Sequence, residues 1–301
     1  MAKKSEHRAI NAAYRVIMRL FLPDLLKQLE MEGLLDGDIL RPEDTADKDY
    51  IRIFDNGADT TIFSFSGLDA LYAGLARYEF SRAVMRSGVE ANYVFLRDNL
   101  RTGFFVRPDG GPGGYDFYEA VIHKAMEELD STYHVALGSS IGGASAMHFG
   151  TRCGMDQLLL FGATITRNGY STPGVILRSY CNLWNLIRDP RGYFETNLVI
   201  LAAQWAARRI RGFAEKEADW PEPIATYRKA VQRPLATLFY GVRAYPDARH
   251  AAMMAEFPEA VVRPLQTGRH NTPAFLTERG ELGKALAEEI HRGRALKADA
   301  G

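Results

Sequence analysis

The stretch Tyr133–Gly150, YHVALGSSIGGASAMHFG, decides how this chain is read. It opens on an apolar run, Val135-Ala136-Leu137, and turns through Gly138-Ser139-Ser140-Ile141-Gly142-Gly143. It continues as Ala144-Ser145-Ala146-Met147-His148-Phe149, small and apolar at helical spacing. The pattern predicts a strand, a sharp turn and a helix. Gly138, Ser140 and Gly142 form G-x-S-x-G around the turn. A serine there projects its hydroxyl away from its own backbone. The residues two before and two after must lack bulk, because the strand end and the helix start nearly touch. Glycine meets that need and tolerates unusual dihedrals. Ser140 then stands at a helix N-terminus, where unpaired N–H groups and the helix dipole favour negative charge. An oxyanion forming there would be held by the N–H of Ile141.

Two other glycine-rich readings fail. A phosphate-binding loop of the G-x-x-x-x-G-K-[ST] kind needs a lysine, and none follows Gly143. A dinucleotide loop needs G-x-G-x-x-G, which Gly138-Ser139-Ser140 breaks.

The 301 residues suit one α/β domain with an insertion, or two small domains. Apolar residues make up 47% and charged residues 25%, the balance of an ordinary globular protein. Lys and Arg number 37, as do Asp and Glu, so no global charge favours nucleic acid. Cys153 and Cys181 make neither a disulfide framework nor a metal-ligand spacing, which suits a reducing compartment. Met1–Ile10 is basic without an uninterrupted apolar run, so no signal peptide is expected. No segment approaches the roughly 18 apolar residues of a membrane span. These readings together predict a cytoplasmic protein with no stable membrane insertion.

Elsewhere strands alternate with helices. Residues 5–35 carry Ile10, Tyr14, Ile17, Met18 and Phe21 at helical spacing, a docking extension. Strands are expected at Ile51–Phe54, Thr60–Ser66, Asn92–Leu96, Gln157–Phe161, Leu235–Tyr240 and Ala260–Leu265. Helices are expected at about Ala70–Arg86, Asp116–Leu129, Leu177–Ile187, Thr196–Ile210, Arg249–Phe257 and Asn271–Arg292. The alternation implies a mostly parallel sheet with helices on both faces. It is interrupted over 167–233, which holds all three tryptophans, Trp184, Trp205 and Trp220. The expected organisation is an N-terminal helical extension over 1–48, a core over 49–166 and 234–301, and a helical cap over 167–233. Trp and Leu of that cap either wall an acyl pocket or pack the cap itself.

A serine hydroxyl needs a base to take its proton and a third group to orient that base. On an α/β sheet such groups stand on loops at the carboxyl ends of strands. Ser140, then Asp247 after the Leu235–Tyr240 strand, then His270 after the Ala260–Leu265 strand, stand at three such ends. Asp247 has the alternative of capping the following helix. Glu256 and Asp219 are weaker acids, because neither follows a strand. His250 is the rival base but falls within a helix. His123, His134, His148 and His291 read as structural. The turn Ser66-Gly67-Leu68, after the Thr60–Ser66 strand, is placed to complete an oxyanion site, with the N–H of Leu68 as second donor beside that of Ile141. Asp98 follows a strand end and is read as ordering the Arg97–Gly103 loop.

These residues resemble the α/β-hydrolases over roughly Ile51–Arg292. The resemblance is carried by Phe95-Leu96-Arg97-Asp98, the elbow Gly138–Gly143, Asp247 with His250-Ala251, and Gly268-Arg269-His270-Asn271. More narrowly, the chain resembles a bacterial serine-hydrolase branch of that superfamily. In that fold the order along the chain is nucleophile, acid, histidine. The resemblance implies the triad Ser140, Asp247 and His270, a cofactor-free hydrolysis and a small-molecule ester or acyl substrate, and says little about which one. The chain departs from common hydrolases at Ser66-Gly67, where a histidine usually precedes the glycine. Acyl transfer by the same triad, and a ligand-binding protein without turnover, are the other readings.

Overall fold

The computed structural model describes residues 16, 50–67, 79–98, 100, 102–166, 172–214 and 222–300. The extension expected over 1–48 lies outside them, Val16 apart, as does Leu68. The strands are β1 (Ile51–Phe54), β2 (Thr60–Phe65), β3 (Asn92–Leu96), β4 (Tyr133–Ser139), β5 (Gln157–Phe161), β6 (Leu235–Gly241) and β7 (Ala260–Leu265). They form one sheet in the order β1-β3-β2-β4-β5-β6-β7. Every pair is parallel except β1 with β3, so β1 is an antiparallel edge.

Before the elbow lie α1 (Ser81–Arg86) and α2 (Gly114–Leu129), and α3 (Ser140–Arg152) follows it. Between β5 and β6 lie α4 (Pro173–Tyr180), α5 (Leu183–Arg188), α6 (Pro190–Ala214) and α7 (Pro223–Lys229). The chain continues through α8 (Tyr245–Met254), α9 (Thr272–Glu278) and α10 (Leu282–Ala300). Among the described residues no helix is long and apolar enough to cross a membrane.

Strand residues alternate between two cores. Phe63, Phe65, Val94, Leu96, Leu158 and Leu160 face the layer that holds α2, α3, α7 and α8. Ile62, Phe95, Val135, Leu137, Leu159 and Phe161 face α1, α9 and α10. With both faces covered, β2, β3 and β5 are buried along their whole length, and the apolar run of β5 reflects this. Helix α3 runs close under the sheet. A Cβ at Gly150 would meet Leu158 and Ala136 of the neighbouring strands. The last helix of the interval expected to be a cap, α7, buries Ile224 and Tyr227 in the core beside α3.

Several expected helices differ from the observed ones, each for a local reason. Phe80 has φ 65° immediately before α1, so Ser81–Arg86 starts separately from whatever precedes it. The expected helix Leu177–Ile187 is two helices, broken at Cys181-Asn182, where the Asn182 side chain accepts from the Asn185 N–H at 3.3 Å and caps α5. Gly280, with φ 70°, separates α9 from α10 where one helix was expected. Helix α8 begins at Tyr245 instead of Arg249, with Pro246 in its first turn, where a missing N–H is harmless. Helix α2 starts at Gly114 and buries Tyr118 and Ile122 most deeply, leaving the expected Phe117, Val121 and Leu129 half-buried beside them.

Phe149 on α3 has no exposed surface and stacks on Phe65 of β2, with ring centroids 5.5 Å apart. Phe149→Ala is expected to lower stability by about 3–5 kcal/mol, because the sheet limits collapse into the space left. Urea unfolding checks this; a loss below about 1 kcal/mol would contradict the packing described.

Candidate active site

The turn from β4 into α3 is a close approach of backbone to backbone. A Cβ at Gly138 would overlap the Gly142 carbonyl, and one at Gly142 would overlap the carbonyls of Phe65, the last residue of β2, and of Ser66 after it. A Cβ at Gly143 would strike Ala163, just beyond β5. The glycine spacing of the sequence is therefore a packing requirement from three directions. Between these glycines Ser140 has φ 53°, a left-handed conformation that a residue with a Cβ adopts only under constraint. The Ser140 side chain is half-buried at the carboxyl edge of the sheet. This edge is where strand order reverses, β3 lying on one side of the β2–β4 pair and β5 on the other.

His270 lies in the loop between β7 and α9 and is 3% exposed. Its Nε2 stands 2.8 Å from Ser140 Oγ, and its Nδ1 stands 2.8 Å from Asp247 Oδ1. Asp247 is in the first turn of α8 and is 1% exposed. It is not the helix cap: the N-cap position is Ala244. Three residues far apart in the chain thus form one hydrogen-bonded line. Two glycines make room for it. A Cβ at Gly162, with φ 52°, would strike the His270 carbonyl, and one at Gly241 would strike the carbonyls of Arg269 and Thr267. Both glycines directly follow or end a strand, a signal the sequence reading passed over.

The other expected residues are placed as follows. Ile141 is second in α3, within the turn whose N–H groups lack intrahelical acceptors. Gly67 follows β2 as expected, and its N–H donates to Glu79 Oε2 at 2.7 Å; Glu79 was not singled out from sequence. Asp98 orders its loop, as its carboxylate accepts from the N–H groups of Gly103 at 2.6 Å and Phe104 at 3.0 Å. That loop brings Gly103 against the Ile141 side chain. Trp184, one of the tryptophans expected either to wall an acyl pocket or to pack the cap, is 69% exposed, with the Arg188 guanidinium 5.6 Å from its ring centroid. The side chain of Trp205, and Trp220, lie outside the described residues. Glu256 is a surface residue 3.7 Å from Arg228, and Asp219 lies outside the described residues. Of the other histidines, His134 lies 3.9 Å from Asp156 and His148 lies 3.7 Å from Glu119.

Two buried histidines near Asp247 differ in charge preference. Burial pulls His270 down, but the Asp247 charge and hydrogen bond, helped by the Glu195 charge, outweigh it and leave His270 above its ordinary value. His250, one turn along α8 from Asp247, is pushed down to about 4, chiefly by burial, and bonds the Ala163 backbone. Asp247 therefore faces one histidine that readily carries charge and one that stays neutral. Among the described residues no group of His, Cys, Asp and Glu is arranged to hold a metal ion.

This difference is measurable. In an NMR titration of the imidazole signals, His270 is expected to take its proton above pH 6.5 and His250 only near pH 4. Equal titration of both rings would contradict the arrangement.

No family model matches the chain, and no curated protein matches its sequence. Solved structures do share its architecture. MenH from S. aureus superposes with a TM-score of 0.52 at 10% identity, over 82% of this chain and 99% of that one. A proline iminopeptidase from Mycobacterium smegmatis gives a TM-score of 0.52 at 12% identity, over 82% of this chain and 95% of that one. At such identities the likeness concerns the path of the backbone. With its mostly parallel sheet and helices on both faces, the chain has the α/β-hydrolase fold.

Proposed function

We propose that the protein is a serine hydrolase that cleaves a carboxylic ester or a related acyl compound. The observation that carries this reading is the unbroken line from Ser140 Oγ through the His270 ring to Asp247, with both hydrogen bonds at 2.8 Å. Ser140 is the nucleophile. His270 Nε2 takes its proton as the hydroxyl attacks the acyl carbon. Asp247 holds the ring with Nδ1–H facing the carboxylate and steadies the imidazolium that forms. The tetrahedral oxyanion receives the N–H of Ile141 at the start of α3, where the helix dipole adds to the attraction. The N–H of Leu68, on the turn after β2, is the proposed second donor. His270 then returns its proton to the leaving alcohol, and an acyl-enzyme remains. Water, deprotonated by the same ring, releases the acid.

Of the interval 167–233, helices α4 to α6 act in this reading as a cap over the site, while α7 packs in the core. Asp189, between α5 and α6, reaches the histidine loop directly, because its Oδ2 accepts the Gly268 N–H at 2.6 Å.

A fluorophosphonate is expected to modify Ser140 in the wild-type protein, with mass spectrometry placing the adduct, and Ser140→Ala to remain unmodified. A folded wild type that resists several such reagents would remove the mechanism. Turnover of p-nitrophenyl esters of graded chain length, beside the Ser140→Ala control, reads the acyl preference.

The pH dependence follows from the direction of the His270 shift. Its protonated form cannot act as base, and its folded value lies above the ordinary 6.5. Thus kcat/KM is expected to fall as pH drops, with the midpoint of the acid limb above 6.5. Asp247→Asn is expected to keep the fold and lose roughly 10⁴ in rate, because the amide favours the wrong ring tautomer. Near-wild-type turnover in that variant would show that another group orients His270.

A further inference from the structure

The loop that carries His270 is gripped by a helix from the interval between β5 and β6. Glu195, on α6, has a side chain only 1% exposed. Its Oε2 accepts from Arg269 Nε at 2.7 Å, and its Oε1 accepts the Asn271 N–H at 2.8 Å. One carboxylate therefore holds the residue before His270 and the residue after it. Helix α6 makes further holds one residue earlier in the same loop, where the Thr196 hydroxyl donates to the Gly268 carbonyl. Gly192 lies so close to Gly268 that a Cβ there would stand 2.6 Å from the Gly268 carbonyl carbon.

A buried carboxylate is costly unless its lone pairs are satisfied and a cation faces it. Glu195 has both, yet a well-packed apolar residue would dock a helix at lower cost. What an apolar side chain cannot do is fix two backbone positions of a loop and place negative charge near an imidazole. We propose that Glu195 is a positioning residue for the reaction: from α6 it clamps the backbone on both sides of His270 and presents a buried carboxylate to the imidazolium. This rests on reading Ser140, His270 and Asp247 as the reacting set. It makes the inserted helix part of the catalytic framework as well as a cover for the site.

The charged and titratable groups around His270 set what a pH profile reads. Asp247 and His250 face it from α8, and Glu195 faces it from α6. Arg269 adjoins it on its own loop, and Glu278 of α9 pairs with Arg269 at 2.8 Å on the outer side. Replacing Glu195 by glutamine removes one negative charge from that set. It lowers the affinity of His270 for its proton and loosens the grip on Arg269. Replacing Glu278 leaves the Glu195 contacts in place.

The test compares the full chain as wild type, Glu195→Gln, Glu195→Asp and Glu278→Gln. Two readings are taken: the His270 imidazole titration by NMR, and the rate at which a fluorophosphonate modifies Ser140 across pH 5–9. In Glu195→Gln, with far-UV circular dichroism unchanged, His270 is expected to titrate roughly half a pH unit or more lower. Modification at the plateau should slow by at least about tenfold, the order expected when a base loses its orientation. In Glu278→Gln the rate should stay within about threefold of wild type. A wild-type titration and rate in folded Glu195→Gln overturns the proposal. Equal effects from Glu278→Gln also overturn it, because they assign the role to the Arg269 network as a whole. Should Glu195→Gln fail to fold, Glu195→Asp decides. It keeps the charge but is too short to reach both Arg269 and Asn271, so slowed modification with little shift in titration supports the clamp, and a wild-type rate overturns it. If the wild type is not modified at all, the nucleophile assignment fails. The NMR titration of Glu195→Gln then still reads the Glu195–His270 relation independently.

Discussion

At the start of α3 the backbone of one element rests on the backbone of another. Gly142 lies against the carbonyls that close β2, and Gly138 lies against Gly142 itself. Neither can carry a side chain without pushing α3 off the sheet. That approach sets how deeply α3 sits, and nine of its residues, Gly142 through Gly150, are buried as a result. It also forces Ser140 into its left-handed conformation, because the chain must reverse from strand to helix within one residue. The strain at Ser140 and the burial of α3 are two consequences of one contact. The packing of Phe149 on Phe65 and Tyr118 holds that contact closed from below.

Around the serine, charge is handled by pairing it inside the protein. Asp247 and His270 are both nearly inaccessible, and each is the other's partner at 2.8 Å. Behind them Arg269 and Glu195 form a second buried pair, and Asp98 on the far side is satisfied by backbone N–H groups of its own loop. Burial pushes the Asp98 and Glu195 carboxyls above their ordinary values, and the N–H donors and the guanidinium that face them pull the other way. Such groups hold loops in one geometry, since moving any of them strands a partner without a hydrogen bond. The loops that carry Asp98 and His270 are thus held by paired buried groups.

The strands and their alternation were legible in the sequence because their cause is local. A strand covered on both faces is mostly apolar, and the run Leu158–Phe161 shows it. Helix limits were less legible. The breaks at Phe80, at Cys181-Asn182 and at Gly280 depend on single backbone dihedrals and caps, and the apolar periodicity runs past them. The start of α8 was missed because Pro246 reads equally well as a turn or as the first turn of a helix. The exposure of Trp184 was not legible, because it follows from α5, a short helix that buries none of its residues.

For the candidate site, the chain by itself determined the glycine-framed turn at Ser140 and the order of serine, aspartate and histidine along successive strand ends. Those follow from spacing, and spacing is written in one dimension. Only the tertiary structure decided that His270 meets both Ser140 and Asp247, that Gly162 and Gly241 clear its path, and that Gly67 gives its N–H to Glu79. It alone brought Glu195 across 76 residues of chain to Asn271. Nothing near Glu195 in the sequence marks it, because a glutamate on a helix is ordinarily solvated. Its role comes from burial against a loop encoded elsewhere, and burial is a property of the folded chain.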